Sequence, residues 1–407
     1  MVHVAIMARC AILAAVTSLL VFLISVVFCA YTLFGYPVLL GLLARLRRRP
    51  VRKGPLRTTV TVILPVHNGA RWMAAKLESL LRLDYPAGLV DILVLSDGSD
   101  DGTHEIVQEF AGRAKLRLIV LPRGGKAAAI NAGIAHATGE VLFFTDVRQE
   151  LERQSLRNLV ECFADPQVGA ASGELIIRRG KGTEEESVGL YWRYEKWLRR
   201  KQSQIDSVMG TTGCIYAMRR KLASPLPEGT LVDDMYLPLC AFFRGYRVIF
   251  DGSAVAYDFP TQLKSEFRRK VRTLAGVYQV IGQCPALLSP RNRMWIHFLS
   301  HKFARLLMPW AMLVAFVAST GLPDPWRGFA LAAQAAAYGL AALDFVIPER
   351  GAPKRLTSPL RTFMVLMAAS LCAVSIFFLP AKSLWSQTRV VAEPAPQEAN
   401  DVSTLAE

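Results

Sequence analysis

Paired-cysteine spacing is missing. The seven cysteines (Cys10, Cys29, Cys162, Cys214, Cys240, Cys284 and Cys372) nowhere form Cys-x-x-Cys. That argues against a zinc site or a disulfide framework and places the main domain in a reducing compartment. No Walker A run is present, which excludes a P-loop nucleotide site. There is no internal repeat, which argues against a transporter. Acidic residues are outnumbered, 33 against 48 Lys and Arg, for a net charge of +15. The basic residues are not interleaved with aromatic stacking platforms, so nucleic acid is not the expected partner. Charge is also absent from the whole stretch Cys10–Ala44.

What is present is hydrophobicity: 52% apolar residues and a mean hydropathy of +0.28, beside 20% charged residues. A water-facing domain joined to membrane helices satisfies both figures. The uncharged N-terminal stretch exceeds the roughly 20 residues a span needs and runs on through Tyr31, Phe34 and Tyr36. It reads as a retained anchor rather than a cleaved signal. Arg45, Arg47, Arg48, Arg49, Arg52, Lys53 and Arg57 follow it and mark the cytoplasmic side. Three more apolar segments, Leu306–Leu322, Gly328–Ile347 and Thr362–Leu379, are expected to span. Pro309 makes the first marginal, and Asp344 sits near the end of the second, where its charge can reach the interface. The loop carrying Arg350, Lys354, Arg355 and Arg361 falls on the cytoplasmic side, as the positive-inside rule requires. The tail from about Val391 is polar and expected to be disordered.

Between the spans, strand and helix patterns alternate. Thr59–Val66, Val90–Leu95, Leu116–Leu121 and Val141–Phe144 read as strands. Arg71–Leu83, Thr103–Phe110 and Gly124–Ala137 read as helices. This rhythm predicts an α/β fold with a doubly wound, mostly parallel sheet. Ligands of such sheets sit beyond the carboxyl ends of the strands. Acids stand at those places: Asp97 after Val90–Leu95 and Asp146 after Val141–Phe144, with the pair Asp233-Asp234 further on. Asp97 can serve as a turn residue or accept hydrogen bonds from a base or ribose. Arg123-Gly-Gly-Lys126 opens a helix as a phosphate cradle would. Asn131, one turn on, is a plain helix residue or a second contact to the same crevice. Asp233-Asp234 can cap a helix over Met235–Phe243 or hold a proton. Gln262–Gln283 mixes Arg268, Arg269, Lys270 and Arg272 with Leu263, Phe267, Val271 and Leu274, the pattern of a helix lying on a membrane surface.

Together these motifs, in this order from Thr59 to Gly276, resemble the membrane-embedded family 2 glycosyltransferases, the group of cellulose, chitin and hyaluronan synthases. The resemblance implies a GT-A fold, a nucleotide-diphosphate sugar donor, most often a UDP-sugar, and inversion at the anomeric carbon. Pro65-Val-His67-Asn68 is similar to the first-strand motif lining the nucleotide pocket. Ser96-Asp97-Gly-Ser is similar to the base-facing motif, and Gly125-Lys126-Ala with Asn131 to the element beside the donor. Thr145-Asp146-Val-Arg148 stands where the family has Asp-x-Asp, and Gly210-Thr-Thr-Gly-Cys214 where it has an acceptor-side loop. Val232-Asp233-Asp234 matches the motif whose second acid is the general base. Arg269-Lys-Val-Arg272-Thr273 stands where processive members have Gln-x-x-Arg-Trp.

Two departures bear on chemistry. Arg148 replaces the second acid of Asp-x-Asp and offers no oxygen to a hard cation. Asp146 alone would hold Mg²⁺ or Mn²⁺ with water and phosphate, or Arg148 itself would neutralise the diphosphate. Arg269 and Thr273 replace Gln and Trp, which favours a single or limited transfer over polymer synthesis. The expected organisation is an anchor over 1–44, a basic linker over 45–57, the GT-A domain over 58–260 and an interfacial region over 261–297. About three spans then lie within 298–382, and a polar tail over 383–407. The expected location is a bacterial inner membrane with the catalytic domain cytoplasmic, acting on a lipid-linked or glycan acceptor. The alternative is a degenerate membrane protein that binds nucleotide sugar and partners another enzyme.

Overall fold

The computed structural model describes residues 2–178, 183–259, 263–348 and 353–385. Gln262, Arg350 and the tail from 386 on lie outside the described residues. The described strands are β1 (Val60–Val66), β2 (Val90–Asp97), β3 (Leu116–Leu121), β4 (Val141–Phe144), β5 (Glu150–Leu151), β6 (Val168–Ile177), β7 (Tyr216–Arg219) and β8 (Arg247–Asp258). They form one sheet in the order β3-β2-β1-β4-β7-β6-β8-β5. β3, β2, β1 and β4 run parallel, β7 is antiparallel to both β4 and β6, and β8 is parallel to β6. This is the mostly parallel, GT-A-like arrangement expected from the sequence, with an antiparallel strand in its centre.

Strands β1, β2 and β4 are buried on both faces, as inner parallel strands require, while the edge strand β3 is part-exposed. Val60, Val62, Leu64 and Val66 face one layer with Met73 and Leu77 of the helix Ala70–Leu81. Ile63, Leu93 and Leu95 face the other with Ile130 of the helix Lys126–His136. The period-2 alternation of β1 therefore supplies both cores. Because β1, β2 and β4 are parallel, their carboxyl ends bring His67, Asp97 and Asp146 to one edge of the sheet.

The N-terminal helix is continuous from Val2 to Leu46, with a π-helical turn at Tyr31–Gly35. Among the described residues three helices are long and apolar enough to cross a membrane: Arg9–Leu46, Trp295–Thr320 and Thr357–Phe377. The span expected at Leu306–Leu322 is thus part of a longer helix. The span expected at Gly328–Ile347 is a helix at Trp326–Leu343, but it is outside that set, its apolar character diluted by Arg327 and Gln334. Asp344 does not reach an interface. It is wholly buried and accepts a hydrogen bond from Thr357 Oγ1 (2.5 Å), with Arg361 Nε at 3.0 Å and Lys354 Nζ at 3.3 Å. Lys354 and Arg361 belong to the helix Lys354–Cys372 and hold it to the preceding helix. They are not solvated loop charges.

The amphipathic helix occupies Leu263–Gln283. Gly276 lets it press on the segment leading into Asp233: a Cβ there would lie 2.6 Å from Val232 Cγ1. Alanine is the better helix former by about 1 kcal/mol, while overpacking typically costs about 1–3 kcal/mol. Gly276→Ala should therefore lower the thermal unfolding midpoint of the purified full chain. A raised midpoint would show that the helix does not bear on Val232.

Candidate active site at the carboxyl edge of the sheet

Lys126 is the centre of the site. Asp97 terminates β2, and its carboxylate accepts hydrogen bonds from the backbone N–H of Gly124 (2.6 Å) and Gly125 (3.0 Å) and from the Arg123 guanidinium. Gly125 has φ of +90°, a conformation that glycine adopts without strain. This turn delivers Lys126 to the start of its helix. Its Nζ lies 3.0 Å from Asp146 Oδ1 and 3.3 Å from Asp233 Oδ1. Burial disfavours the ammonium, but Asp146 and Asp233 outweigh burial and raise its pKa.

Asp233 and Asp234 open the helix Asp233–Phe243. The backbone N–H and hydroxyl of Thr211 both donate to the Asp234 carbonyl, at 2.7 and 2.8 Å. A Cβ on Gly213 would sit 3.0 Å from Asp234 Oδ2, so the loop Gly210–Cys214 abuts that carboxylate. Burial and the neighbouring Asp233 push the Asp234 carboxyl up to about 6, with Lys126 and Arg199 acting against them. Arg199 Nη1 donates to Thr212 Oγ1 at 2.9 Å, which ties the helix Thr183–Ile205 to the same loop. Stations at 97, 146 and 233–234 are thus linked through Lys126 and the turn preceding it.

The remaining expected residues divide. Arg272 senses Asp234, Asp233 and Asp146; burial and Arg269 lower its pKa, and those acids oppose the shift. Its guanidinium lies 4.1 Å from the ring centroid of Trp385. An aromatic surface absent at Thr273 is therefore present beside Arg272 from a distant part of the chain. His67 Nδ1–H donates to the Asp97 carbonyl (2.9 Å). Pro65 lies in β1 opposite Leu95 of β2. Asn68, at φ +50°, donates to Asp100 Oδ1 (2.8 Å) and accepts from Asp100 N (3.0 Å). Asn131 exchanges two hydrogen bonds with the Leu226 backbone at 2.9 and 2.7 Å. Arg269 holds Glu266, one turn before it, through contacts of 2.8 and 2.6 Å.

Arg148 is ion-paired with Asp258. Its Nε and Nη2 hold Asp258 Oδ1 and Oδ2 at 2.8 and 2.6 Å, and Gln149 Nε2 also donates to Asp258 (2.8 Å). Asp258 closes β8, far along the chain, and no local pattern announces it. Lys76 was also missed. Its buried Nζ donates to Thr145 Oγ1 (2.6 Å) and the Gln149 carbonyl (2.7 Å), bracing both ends of the Asp146 loop. Burial lowers its pKa to about 8. The signal was available, since Lys76 falls on the inward face set by Met73, Leu77 and Leu80.

Residues 61–226 match Glycosyl transferase family 2, and residues 149–381 match Glycosyl transferase family group 2. The second match covers more than half of the chain, and the chain belongs to glycosyltransferase family 2. It is 31% identical over 229 residues to the poly-beta-1,6-N-acetyl-D-glucosamine synthase of Staphylococcus epidermidis, covering 54% of this chain and 55% of that protein. It is 26% identical over 237 residues to the probable glycosyltransferase YdaM of Bacillus subtilis, covering 54% and 56%. The chain spans about half the length of the curated relatives it matches. The fold is similar to that of a mannosyltransferase from Pyrobaculum calidifontis, solved with GDP-Man and Mn²⁺: TM-score 0.70, 24% identity, 88% of this chain and 99% of that one.

If Arg148 is bound to Asp258 for structure, Arg148→Ala strands a buried carboxylate, and the loss should be about 3–5 kcal/mol. Thermal and denaturant unfolding measure it. Unchanged stability with weakened donor binding would return Arg148 to the diphosphate.

Proposed function

We propose that this protein transfers a sugar, with inversion, from a UDP-sugar to a hydroxyl of a membrane-associated lipid or glycan acceptor. The observation that carries the reading is the Lys126 ammonium set between Asp146 and Asp233, with Asp234 beside them. The acceptor hydroxyl oxygen forms a bond to the anomeric carbon while the bond from that carbon to the diphosphate breaks. The hydroxyl proton passes to Asp234, and the diphosphate leaves with the bonding pair. A base with pKa near the working pH is suited to this task, and Asp234 at about 6 meets that condition better than an ordinary aspartate. Lys126 and Arg272 place positive charge where the diphosphate develops its own. Asp97 acts at one remove, holding the turn that carries Lys126.

The residues fit a divalent cation only in part. Among the described residues no group of three His, Cys, Asp or Glu could cage one. Asp146, with its side chain 36% exposed, offers a single carboxylate. Mg²⁺ and Mn²⁺ sites of this kind draw the rest of their shell from phosphate and water. Such an ion at Asp146 would supply charge to the leaving group. The poly-beta-1,6-N-acetyl-D-glucosamine synthase among the relatives makes N-acetylglucosamine the first sugar to test on the donor.

The helices Arg9–Leu46, Trp295–Thr320 and Thr357–Phe377 support an integral membrane protein. The basic residues from Arg45 to Arg57 support a cytoplasmic catalytic domain in a bacterial inner membrane. The helix Leu263–Gln283 then lies at the interface, where it brings the acceptor to Asp234.

Asp234→Asn should retain donor binding, read as thermal stabilisation by UDP-sugar, and lose about 10²–10⁴-fold in turnover. The wild-type rate should fall as pH drops through about 6, because the base must be ionised to accept a proton. Turnover by the Asn variant would remove Asp234 from this role. Donor binding without any transfer by the wild type would leave a sugar-nucleotide-binding partner protein instead.

A further inference from the structure

A cavity of about 340 Å³ opens at the end of the sheet opposite the acids, where β8 begins. Four arginines line it: Arg49, Arg244, Arg247 and Arg293. The one carboxylate in its wall is Asp206. Asp206 is committed on both oxygens: Arg49 Nη1 at 2.8 Å, Arg293 Nε at 3.0 Å and the Ser207 hydroxyl at 2.6 Å. Arg247 spends its guanidinium on the carbonyls of Asp206, Arg49 and Ser203, at 2.9–3.0 Å. Arg244 stands exposed at the mouth, bonded to the Lys221 carbonyl and the Ser224 hydroxyl. Asp165 is the other acid felt by Arg247. The wall thus carries more positive than negative charge, and guanidinium groups are suited to phosphate oxygens.

The cavity lies where the chain enters and leaves its apolar helices. Arg49 follows the helix that ends at Leu46, and Arg293 precedes the one that starts at Trp295. The first helix, Val2–Leu46, is far longer than the roughly 20 residues that cross a bilayer. Beginning within its π-helical turn, Phe34, Val38, Leu42 and Leu46 form a stripe at every fourth position, each between 51% and 81% exposed. Such an exposed apolar stripe suits contact with lipid, and it leads directly to Arg47, Arg48 and Arg49.

We infer that this cavity binds the phosphate of an anionic phospholipid headgroup and seats the catalytic domain on the bilayer. The inference rests on the membrane reading above and is independent of the sugar-transfer chemistry.

The test uses the full chain in neutral detergent, with phosphatidylglycerol, phosphatidylcholine or inorganic phosphate added. Bound lipid is read by native mass spectrometry and stabilisation by thermal unfolding. Phosphatidylglycerol should be retained at least about 10-fold over phosphatidylcholine. Arg49→Gln with Arg244→Gln should abolish that preference, and the paired Lys variants should restore most of it. Arg244→Gln alone, at the exposed mouth, decides the matter if the double variant is unstable without lipid. Equal retention of the two lipids, or undiminished phosphatidylglycerol binding by the Gln variants, overturns the inference. Equal stabilisation by inorganic phosphate overturns the lipid assignment and leaves a soluble-anion site. None of these outcomes depends on Asp234.

Discussion

One ammonium group organises the carboxyl edge of this sheet. Asp146 and Asp233 come from distant parts of the chain, and two carboxylates this close to Asp234 would repel one another in a partly dry cleft. Lys126 lies between them, at 3.0 and 3.3 Å. Everything that fixes Lys126 therefore fixes the site: the Asp97 carboxylate gripping Gly124 and Gly125, and the positive φ of Gly125 that allows the turn. The electrostatics and the backbone are one device. The proton affinity of Asp234 is raised by burial first and by the neighbouring Asp233 second, with Lys126 opposing both.

The parallel half of the fold was legible because its strands are continuous apolar runs that end at acids or turn residues. Leu116–Leu121 and Val141–Phe144 have the same bounds in sequence pattern and structure. The second half was not. β5 is two residues long, β7 four, and β8 pairs with both β6 and β5, so the pairing is set by contacts no local period encodes. The same division governs the site. Asp97, Lys126 and Asp146 sit at strand or helix ends and could be read from position. Arg148 could not, because its partner Asp258 closes a strand 110 residues away. The partner of Asn131 was equally hidden: its side chain bonds the backbone of Leu226, a loop residue with no sequence mark.

The apolar helices show a related limit. Hydrophobicity alone located them, but their charged members were assigned to loops and interfaces. Asp344, Lys354 and Arg361 instead meet in the interior between two helices. An ion pair of this kind is neutral enough to bury only when its partners are supplied together, which a linear scan does not weigh. Domain and membrane helices are also tied together. Tyr36 of the first helix accepts from Gln202 (2.8 Å) and is bonded to His297 (3.2 Å).

Lys76 ties down the Asp146 loop at both of its ends, through Thr145 and the carbonyl of Gln149. The distance between those two anchor points is set by one side chain rooted in a helix beneath the sheet. Side chains between the anchors can be exchanged while both tethers hold. Adding or deleting a residue there would pull one end off its tether and carry Asp146 with it. The tether therefore tolerates exchange of side chains in this loop better than a change in its length.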